Sequence, residues 1–308
     1  MPMSQRSSAP AVRVATRSSP LALWQAERVI EMLREQGDGV EAELVLVSTT
    51  GDQKSETPIW EMGGTGVFVK EVSDAVLRGD VDFAVHSAKD LPSSTPDGLT
   101  LGAFPERADA RDAIVGSTLD GIPTGGRVGT GSVRRRAQLA ALRSDLTFTA
   151  LRGNVATRVD KAHELDAVVV AYAALQRRHL EKKAAEVLDP GTMLPQVGQG
   201  ALAVECRSDD VKTRELLAVI DDPYVRAAVT AERAFLRELG GGCNFPCAAL
   251  GLADPEGHVG LEAMLASLDG RVIVRATGQG TDPDALGVSV ARNLLDDLGG
   301  QSILEDMR

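Results

Sequence analysis

Short runs of β-branched residues alternate with amphipathic stretches of helical period through the first part of the chain. Residues 11–16, 43–49 and 81–86 have the composition of strands, while residues 20–36 and 67–79 have the period of helices. This alternation is typical of an α/β architecture with parallel strands. It predicts that ligands bind at the carboxyl ends of the strands.

A second cycle of this kind begins near residue 112 and ends with a strand-like run at 195–207. The pattern then changes to one long helix over 222–242, three strand-like runs with a tight turn at Asp269–Gly270, and a last helix over 283–298. We therefore expect two α/β lobes and a C-terminal α+β domain with a small antiparallel sheet. The expected boundaries are 1–105 plus 198–220 for the first lobe, 106–197 for the second lobe and 221–308 for the C-terminal domain.

Composition excludes several classes of protein. The net charge of −11 argues against binding to nucleic acid in bulk. No apolar run approaches the roughly 20 residues of a membrane helix, and the first residues contain no apolar signal region. Three cysteines cannot build a disulfide framework. We expect a cytoplasmic protein with neither a membrane nor a nucleic-acid partner.

A basic segment interrupts this acidic chain. Residues 127–178 carry a net charge of +6, so the remaining residues carry −17. A cationic segment of this kind suggests a small anionic ligand, although a solvated helix face would give the same composition.

Four polar loops follow predicted strands, at residues 16–20, 86–92, 129–139 and 151–158. Free backbone N–H groups at helix starts favour anions, and guanidinium groups bind carboxylates in a bidentate manner. Three consecutive arginines after Ser132 spread around about 300° of helix. We expect Arg134 and Arg135 to reach a ligand and Arg136 to face elsewhere. Taken alone, Arg17 or the Lys89–Asp90 pair would also fit a solvated surface.

The three cysteines differ in context. Cys206 lies in a strand-like run and is expected to be structural. Cys243 and Cys247 are separated by three residues. A zinc site there is disfavoured because it would need further ligands, and the only nearby candidate is His258. Cys243 follows three glycines, so a nucleophilic thiol on a pliant loop is the favoured interpretation.

Together these motifs closely resemble the porphobilinogen deaminase (hydroxymethylbilane synthase) family. The matching stretches include RVATRSSPLALWQA, AVHSAKDLP, VGTGSVRRRAQL, LRGNVATR, LPQVGQGALAVECR and GGGC, in family order over about residues 12 to 250. The resemblance implies two lobes like those of periplasmic binding proteins, joined by a hinge. It also implies a transferase that condenses four porphobilinogen units onto a covalent dipyrromethane primer and releases hydroxymethylbilane for haem and porphyrin biosynthesis, and it suggests a monomer.

The resemblance also assigns roles to residues. Asp90 matches the catalytic carboxylate, and Cys243 matches the cysteine that holds dipyrromethane as a thioether. The further cofactor-binding positions are Ser19, Lys89, Asp90, Ser132, Arg134, Arg135, Arg152 and Gly153. The substrate-binding positions are Arg17, Ser19, Arg152, Arg158 and Arg177. No metal is implied.

Some positions depart from the family pattern. Glu61 and Thr65 replace the usual lysines of a lid-like loop over 50–66, Gly131 replaces a serine, and Ala110 replaces a proline. The alternative function is a non-catalytic bilobal binding protein for a small polycarboxylate, which would use the same cleft without covalent chemistry. A phosphate-directed transferase is disfavoured because the chain has no phosphate-binding loop.

Overall fold

The fold is built on three β-sheets. A computed structural model describes residues 11–36, 40–53, 69–241 and 245–307. Cys243 and the lid positions Glu61 and Thr65 lie outside the described residues.

The first sheet contains five strands in the order β2-β1-β3-β10-β4. These strands are β1 (Val12–Thr16), β2 (Ala42–Leu46), β3 (Phe83–Ser87), β4 (Leu99–Ala103) and β10 (Leu202–Arg207). The helices of this lobe are α1 (Pro20–Gln36), α2 (Thr50–Gln53), α3 (Lys70–Leu77) and α7 (Val211–Ala218). Helix α1 begins as predicted, because the Ser19 hydroxyl accepts a hydrogen bond from Ala22 N at 3.2 Å.

The second sheet also contains five strands, in the order β7-β6-β8-β5-β9. These strands are β5 (Asp112–Val115), β6 (Arg127–Gly129), β7 (Thr147–Thr149), β8 (Ala167–Ala171) and β9 (Ala184–Val187). The helices of this lobe are α4 (Val133–Leu142), α5 (Val155–Asp160) and α6 (Tyr172–Gln176). Every residue of β8 is buried, as expected for a central strand covered on both faces.

The C-terminal region contains a three-stranded antiparallel sheet in the order β11-β12-β13. Its elements are α8 (Pro223–Glu238), β11 (Cys247–Ala253), β12 (Val259–Ala266), β13 (Ile273–Gly280), α9 (Pro283–Arg292) and α10 (Gly300–Glu305). The α8 residue Phe235 packs with Leu261 and Val290 in the core of this region. The fold class is therefore confirmed: two α/β lobes and a C-terminal α+β domain.

The parallel arrangement that the pattern predicts covers only part of each lobe sheet. β10 runs antiparallel to β3 and β4, and β5 runs antiparallel to β8 and β9. Both reversed strands follow a crossover from the other lobe. They enter their sheet from the edge where the parallel strands end, so they must run in the opposite direction. Strands β4 and β9 were not predicted.

Several predicted elements also extend further than the observed ones. The 195–207 run is a strand only over β10, because residues 195–201 form the crossover. Helix α8 ends at Glu238, where Gly240 adopts a φ of +65° that closes the last turn. The predicted helix over 283–298 is α9 followed by a π-helical segment, Asn293–Asp297.

The predicted domain boundaries remain predictions. Buried contacts join α8 to the first lobe through Val229 and Ala88, and β12 to α4 through Met264 and Ala137. None of the helices in the described residues combines the length and apolar content that a membrane span needs.

Candidate active site

The predicted site loops lie at the carboxyl ends of parallel strands in both lobes. In the first sheet, Ala15 of β1 is in register with Ala84 of β3, which brings the loops after these strands side by side. In the second sheet, β6 is parallel to both β7 and β8. Parallel strands end at one edge of their sheet, and ligands in such folds bind at that edge.

The residues Lys89 and Asp90 lie on a single 3-10 turn, Ala88–Asp90, directly after β3. The backbone N–H of Ala88 donates to Ala201 O at 3.0 Å, which fastens this turn to the crossover between the lobes. The turn therefore holds a cation and a carboxylate beside the crossover between the lobes.

The arginines of α4 have a buried acidic partner that the sequence analysis did not identify. Arg134 Nη2 lies 2.7 Å from Asp112 Oδ2, and Arg135 Nη2 lies 2.7 Å from Asp112 Oδ1. Asp112 is fully buried, whereas Arg136 is exposed. Arg134 and Arg135 therefore share one buried carboxylate, and their predicted role toward the cofactor stays a prediction.

The charge balance around Asp112 is still positive. Burial opposes ionisation of Asp112, but Arg134 and Arg135 outweigh it and hold the pKa of this carboxyl well below its usual value. One carboxylate thus faces two guanidinium groups. Arg134 Nε is buried and has no hydrogen-bond partner among the described residues, so this guanidinium can accommodate a further acceptor.

Lys89 and Arg158 belong to the same electrostatic cluster. Burial lowers the pKa of Lys89 to about 8, with Asp90 acting against the shift and Arg135 adding to it. Burial also lowers the pKa of Arg158 to about 10, and Arg135 and Arg152 lower it further. Because these cations lower one another's pKa, an anion that binds between them stabilises their charged forms.

The loop 151–158 carries two of these arginines. Gly153 adopts a φ of +100°, and Asn154 Oδ1 caps α5 by accepting from Thr157 N at 3.0 Å. Arg158 Nε donates to Gly153 O at 2.8 Å, which folds this side chain back over the turn. Burial lowers the pKa of Arg152 as well.

Ser132 and Gly131 serve the start of α4. The Ser132 hydroxyl accepts from Arg135 N at 3.4 Å, so it acts as the helix cap in this structure. A Cβ atom at Gly131 would lie 2.8 Å from Leu151 O. The glycine that departs from the family pattern therefore fits the close approach of these two loops.

Arg177 contacts both lobes. Its Nη2 donates to Gly200 O at 2.6 Å, and its guanidinium carbon lies 5.6 Å from the centroid of the Trp24 ring on α1. Burial lowers the pKa of Arg177 to about 10. Arg17 follows β1, two residues before the helix cap Ser19.

A small cavity joins this cluster to the cysteine loop. It is lined by Lys89, Ser132 and Arg134 together with Phe245 and Cys247, which follow the predicted attachment residue Cys243. Arg233 of α8 also lines the cavity. The sequence patterns did not single out Arg233, Asp112 or Gln199, although Gln199 lies within LPQVGQGALAVECR, a stretch that carries the family resemblance.

Two α/β lobes that gather Lys89, Arg134 and Arg135 around Asp112 define a bilobal protein whose site suits an anionic ligand. The profile "Porphobilinogen deaminase, dipyromethane cofactor binding domain" matches residues 12–215, and "Porphobilinogen deaminase, C-terminal domain" matches residues 226–296. The chain belongs to the porphobilinogen deaminase family.

Relatives match over nearly their whole length. The chain is 46% identical to the porphobilinogen deaminase of Roseiflexus castenholzii over 94% of this chain and 97% of that protein. It is 42% identical to the porphobilinogen deaminase of Geotalea daltonii over 96% of this chain and 94% of that protein. A solved nutrient binding protein from Burkholderia cenocepacia bound to methionine covers 70% of this chain and 93% of its own, with 12% identity and a TM-score of 0.42.

The family makes this chain an enzyme, a transferase with a dipyrromethane cofactor that acts in porphyrin biosynthesis. The alternative of a non-catalytic binding protein has no better support. Dipyrromethane built from two porphobilinogen units carries four carboxylates. Among the described residues of this cluster, guanidinium and ammonium groups outnumber carboxylates and Arg134 Nε lacks a hydrogen-bond partner, which fits that charge.

Proposed function

We propose that Cys243 carries dipyrromethane as a thioether and that the cationic cluster around Lys89 holds the carboxylates of the cofactor and the growing chain. The observation that carries this proposal is the cavity that Lys89 and Arg134 share with Phe245 and Cys247. Cys243 is two residues before Phe245, and two residues span at most about 7 Å. This short separation along the chain supports attachment of the cofactor at Cys243.

When bound, dipyrromethane supplies a nucleophilic pyrrole carbon and a covalent anchor for the oligopyrrole. Asp90 takes the catalytic role in this proposal, which is supported by the electrostatic influence of its carboxylate on both Lys89 and Arg158. A carboxylate there stabilises the cation that forms when porphobilinogen loses ammonia. It also accepts and returns protons at the pyrrole nitrogens.

The remaining residues bind carboxylates and exclude water from the cleft. Lys89, Ser132, Arg134, Arg135, Arg152 and the Gly153 backbone are assigned to the cofactor together with Ser19. Arg17, Ser19, Arg152, Arg158 and Arg177 are assigned to the incoming substrate. Each condensation brings two further carboxylates into the cleft, so the number of cations exceeds what the primer alone requires.

Replacing Arg158 with leucine tests the binding role, and Arg136→Leu is the matched control. Arg158 is partly buried in the cluster, whereas Arg136 is exposed on α4. A charged hydrogen bond to a carboxylate contributes about 1.5–3 kcal/mol, so Arg158→Leu should lower kcat/KM for porphobilinogen about tenfold to a hundredfold. Arg136→Leu should change it less than twofold. Equal effects in the two variants would remove Arg158 from the binding site.

We also propose that the protein acts as a monomer in the cytoplasm, without nucleic acid. The net charge of −11 disfavours a polyanionic partner in bulk. Light scattering of the purified holoenzyme should give the mass of one chain, and a mass of two chains would contradict the monomer.

A further inference from the structure

Residues 198–200 return the chain from the second lobe to the first, and charged side chains fix their backbone. Gly198 N donates to Glu232 Oε2 at 2.6 Å, and Arg107 Nε donates to Gln199 O at 3.0 Å. Arg177 Nη2 donates to Gly200 O at 2.6 Å. This part of the crossover, residues 198–200, therefore presents its one side chain, that of Gln199, from a fixed backbone.

The flanking glycines allow this crossover to touch the turn that carries Lys89 and Asp90. Gly198 and Gly200 have φ angles of +71° and +85°. A Cβ atom at position 198 would lie 2.9 Å from both Ala88 C and Lys89 N. The crossover is thus in direct contact with the turn.

The Gln199 amide lies between groups of the two lobes. Gln199 is fully buried, and its Nε2 donates to Ala110 O at 2.7 Å and to Asp112 Oδ1 at 2.9 Å. Its Oε1 accepts from Lys89 Nζ at 3.4 Å and from Arg135 Nη2 at 3.5 Å. These two contacts are long for hydrogen bonds, but they join one oxygen to a cation of each lobe.

We infer that Gln199 is a positioning residue that holds Lys89 of the first lobe and Arg135 of the second lobe at one shared oxygen. This inference deepens the proposed function and rests on it. A neutral amide suits the task because it accepts from both cations without neutralising them. Their charge stays available for carboxylates in the cleft, while Nε2 orients the Asp112 carboxylate that Arg135 needs.

The test uses the pH profile of kcat/KM in the holoenzyme, with Gln199→Met and Gln199→Glu. Among the described residues, the charged groups that act most strongly on Lys89 are Asp90 on its own turn, Asp112 on β5, and Arg134 and Arg135 on α4. We expect the alkaline limb of the kcat/KM profile to reflect the loss of the Lys89 proton. Methionine removes the acceptor and leaves Lys89 more desolvated, so this limb should move to lower pH. Glutamate adds a negative charge beside Lys89, so the limb should move to higher pH.

Gln199→Met should also lower kcat/KM about tenfold, the effect of losing a weak hydrogen bond to a charged group. Gln138→Met is the matched control: Gln138 is also buried, and within the described part of the chain its amide exchanges hydrogen bonds with the Leu194 backbone alone, at 2.8 and 3.0 Å. Gln138→Met should lower the thermal stability about as much as Gln199→Met does, but it should leave the alkaline limb of the kcat/KM profile at its wild-type pH.

The outcomes separate this inference from the proposed function. If Lys89→Met abolishes the alkaline limb but neither Gln199 variant moves it, the positioning role is wrong and the role of Lys89 stands. If Lys89→Met itself leaves the limb in place, the proposed role of Lys89 fails and the role of Gln199 fails with it. If Gln199→Met does not fold, the test rests on Gln199→Glu alone. An alkaline limb shifted to higher pH in Gln199→Glu supports the inference, and an alkaline limb at the wild-type pH overturns it.

Discussion

Asp112 determines what the neighbouring arginines can do. Without it, Arg134 and Arg135 would be two buried cations in direct repulsion; with it, they form a hydrogen-bonded group that keeps an excess positive charge. A ligand carboxylate therefore meets guanidinium groups whose positions are already fixed. Such preorganisation lowers the cost of binding a polyanion.

At the residue scale, the first prediction concerns Lys89 and pH. The pKa of Lys89 in the folded protein is about 8, below its ordinary 10.5. Between these values the unfolded chain binds more protons, so the contribution of Lys89 to the free energy of unfolding rises with pH, by at most about 1.4 kcal/mol per pH unit. Below pH 8 the charged, buried ammonium destabilises the fold.

Urea unfolding between pH 7.5 and 10 measures this contribution. It compares two cofactor-free proteins, the single variant Cys243→Ser and the double variant Cys243→Ser plus Lys89→Met. The stability of the single variant should rise relative to the double variant across the interval. Cys206, whose burial raises its pKa to about 11, lowers stability above pH 9 in both proteins and cancels in the comparison. A difference that does not change with pH would contradict the buried, charged lysine.

The second prediction concerns Asp90. Asp90→Asn should still acquire the cofactor, because the binding cations remain, but should lose about 10²- to 10⁴-fold in kcat since no carboxylate moves protons. Asp97→Asn, an exposed carboxylate further along the same loop, is the control. A near-wild-type kcat in Asp90→Asn would remove Asp90 from the chemistry.

At the scale of elements, helix α8 is tied to both crossovers by one buried carboxylate. Glu232 Oε1 accepts from Arg107 Nη1 at 2.6 Å and from Gly251 N at 2.8 Å, while Oε2 accepts from Gly198 N at 2.6 Å. Both oxygens thus face N–H donors. An amide at this position would turn its NH₂ toward a donor and leave Arg107 without its counter-charge.

Glu232→Gln should therefore lower the free energy of unfolding by about 3–5 kcal/mol, the range for breaking a buried ion pair. Glu238→Gln, on the same helix but in an exposed pair with Arg292, should lower it by less than about 1 kcal/mol. Urea unfolding of the two variants measures both values. A small loss in Glu232→Gln would show that α8 is held to the lobes by other contacts.

Local patterns predicted most of the elements but not their pairing across the chain. β8 and α1 follow from β-branched composition and from the Ser19–Pro20 start. The reversal of β5 and β10 depends on the path between lobes, which no local pattern records. Asp112 could not be paired with Arg134 from sequence because the two residues are 22 positions apart and meet only through the fold of the second lobe.

At the scale of the whole molecule, the net charge of the chain and the charge of the candidate site have opposite signs. The chain is acidic overall, yet the described groups around Asp90 are mainly cationic. The C-terminal domain packs on the first lobe through α8 and on α4 of the second lobe through the third sheet. Phe245 and Cys247 of this domain thereby border the cleft between the other two parts.

The most direct test is the intact mass of protein purified from cells that make porphobilinogen, followed by peptide mapping. The chain should be heavier by two porphobilinogen units less two molecules of ammonia, the added mass should map to the peptide containing Cys243, and limiting substrate should add a ladder of one-pyrrole steps. Cys243→Ser should show the mass of the bare chain and no turnover. An active protein with an unmodified mass, or a modified peptide that does not contain Cys243, would contradict the tethered primer.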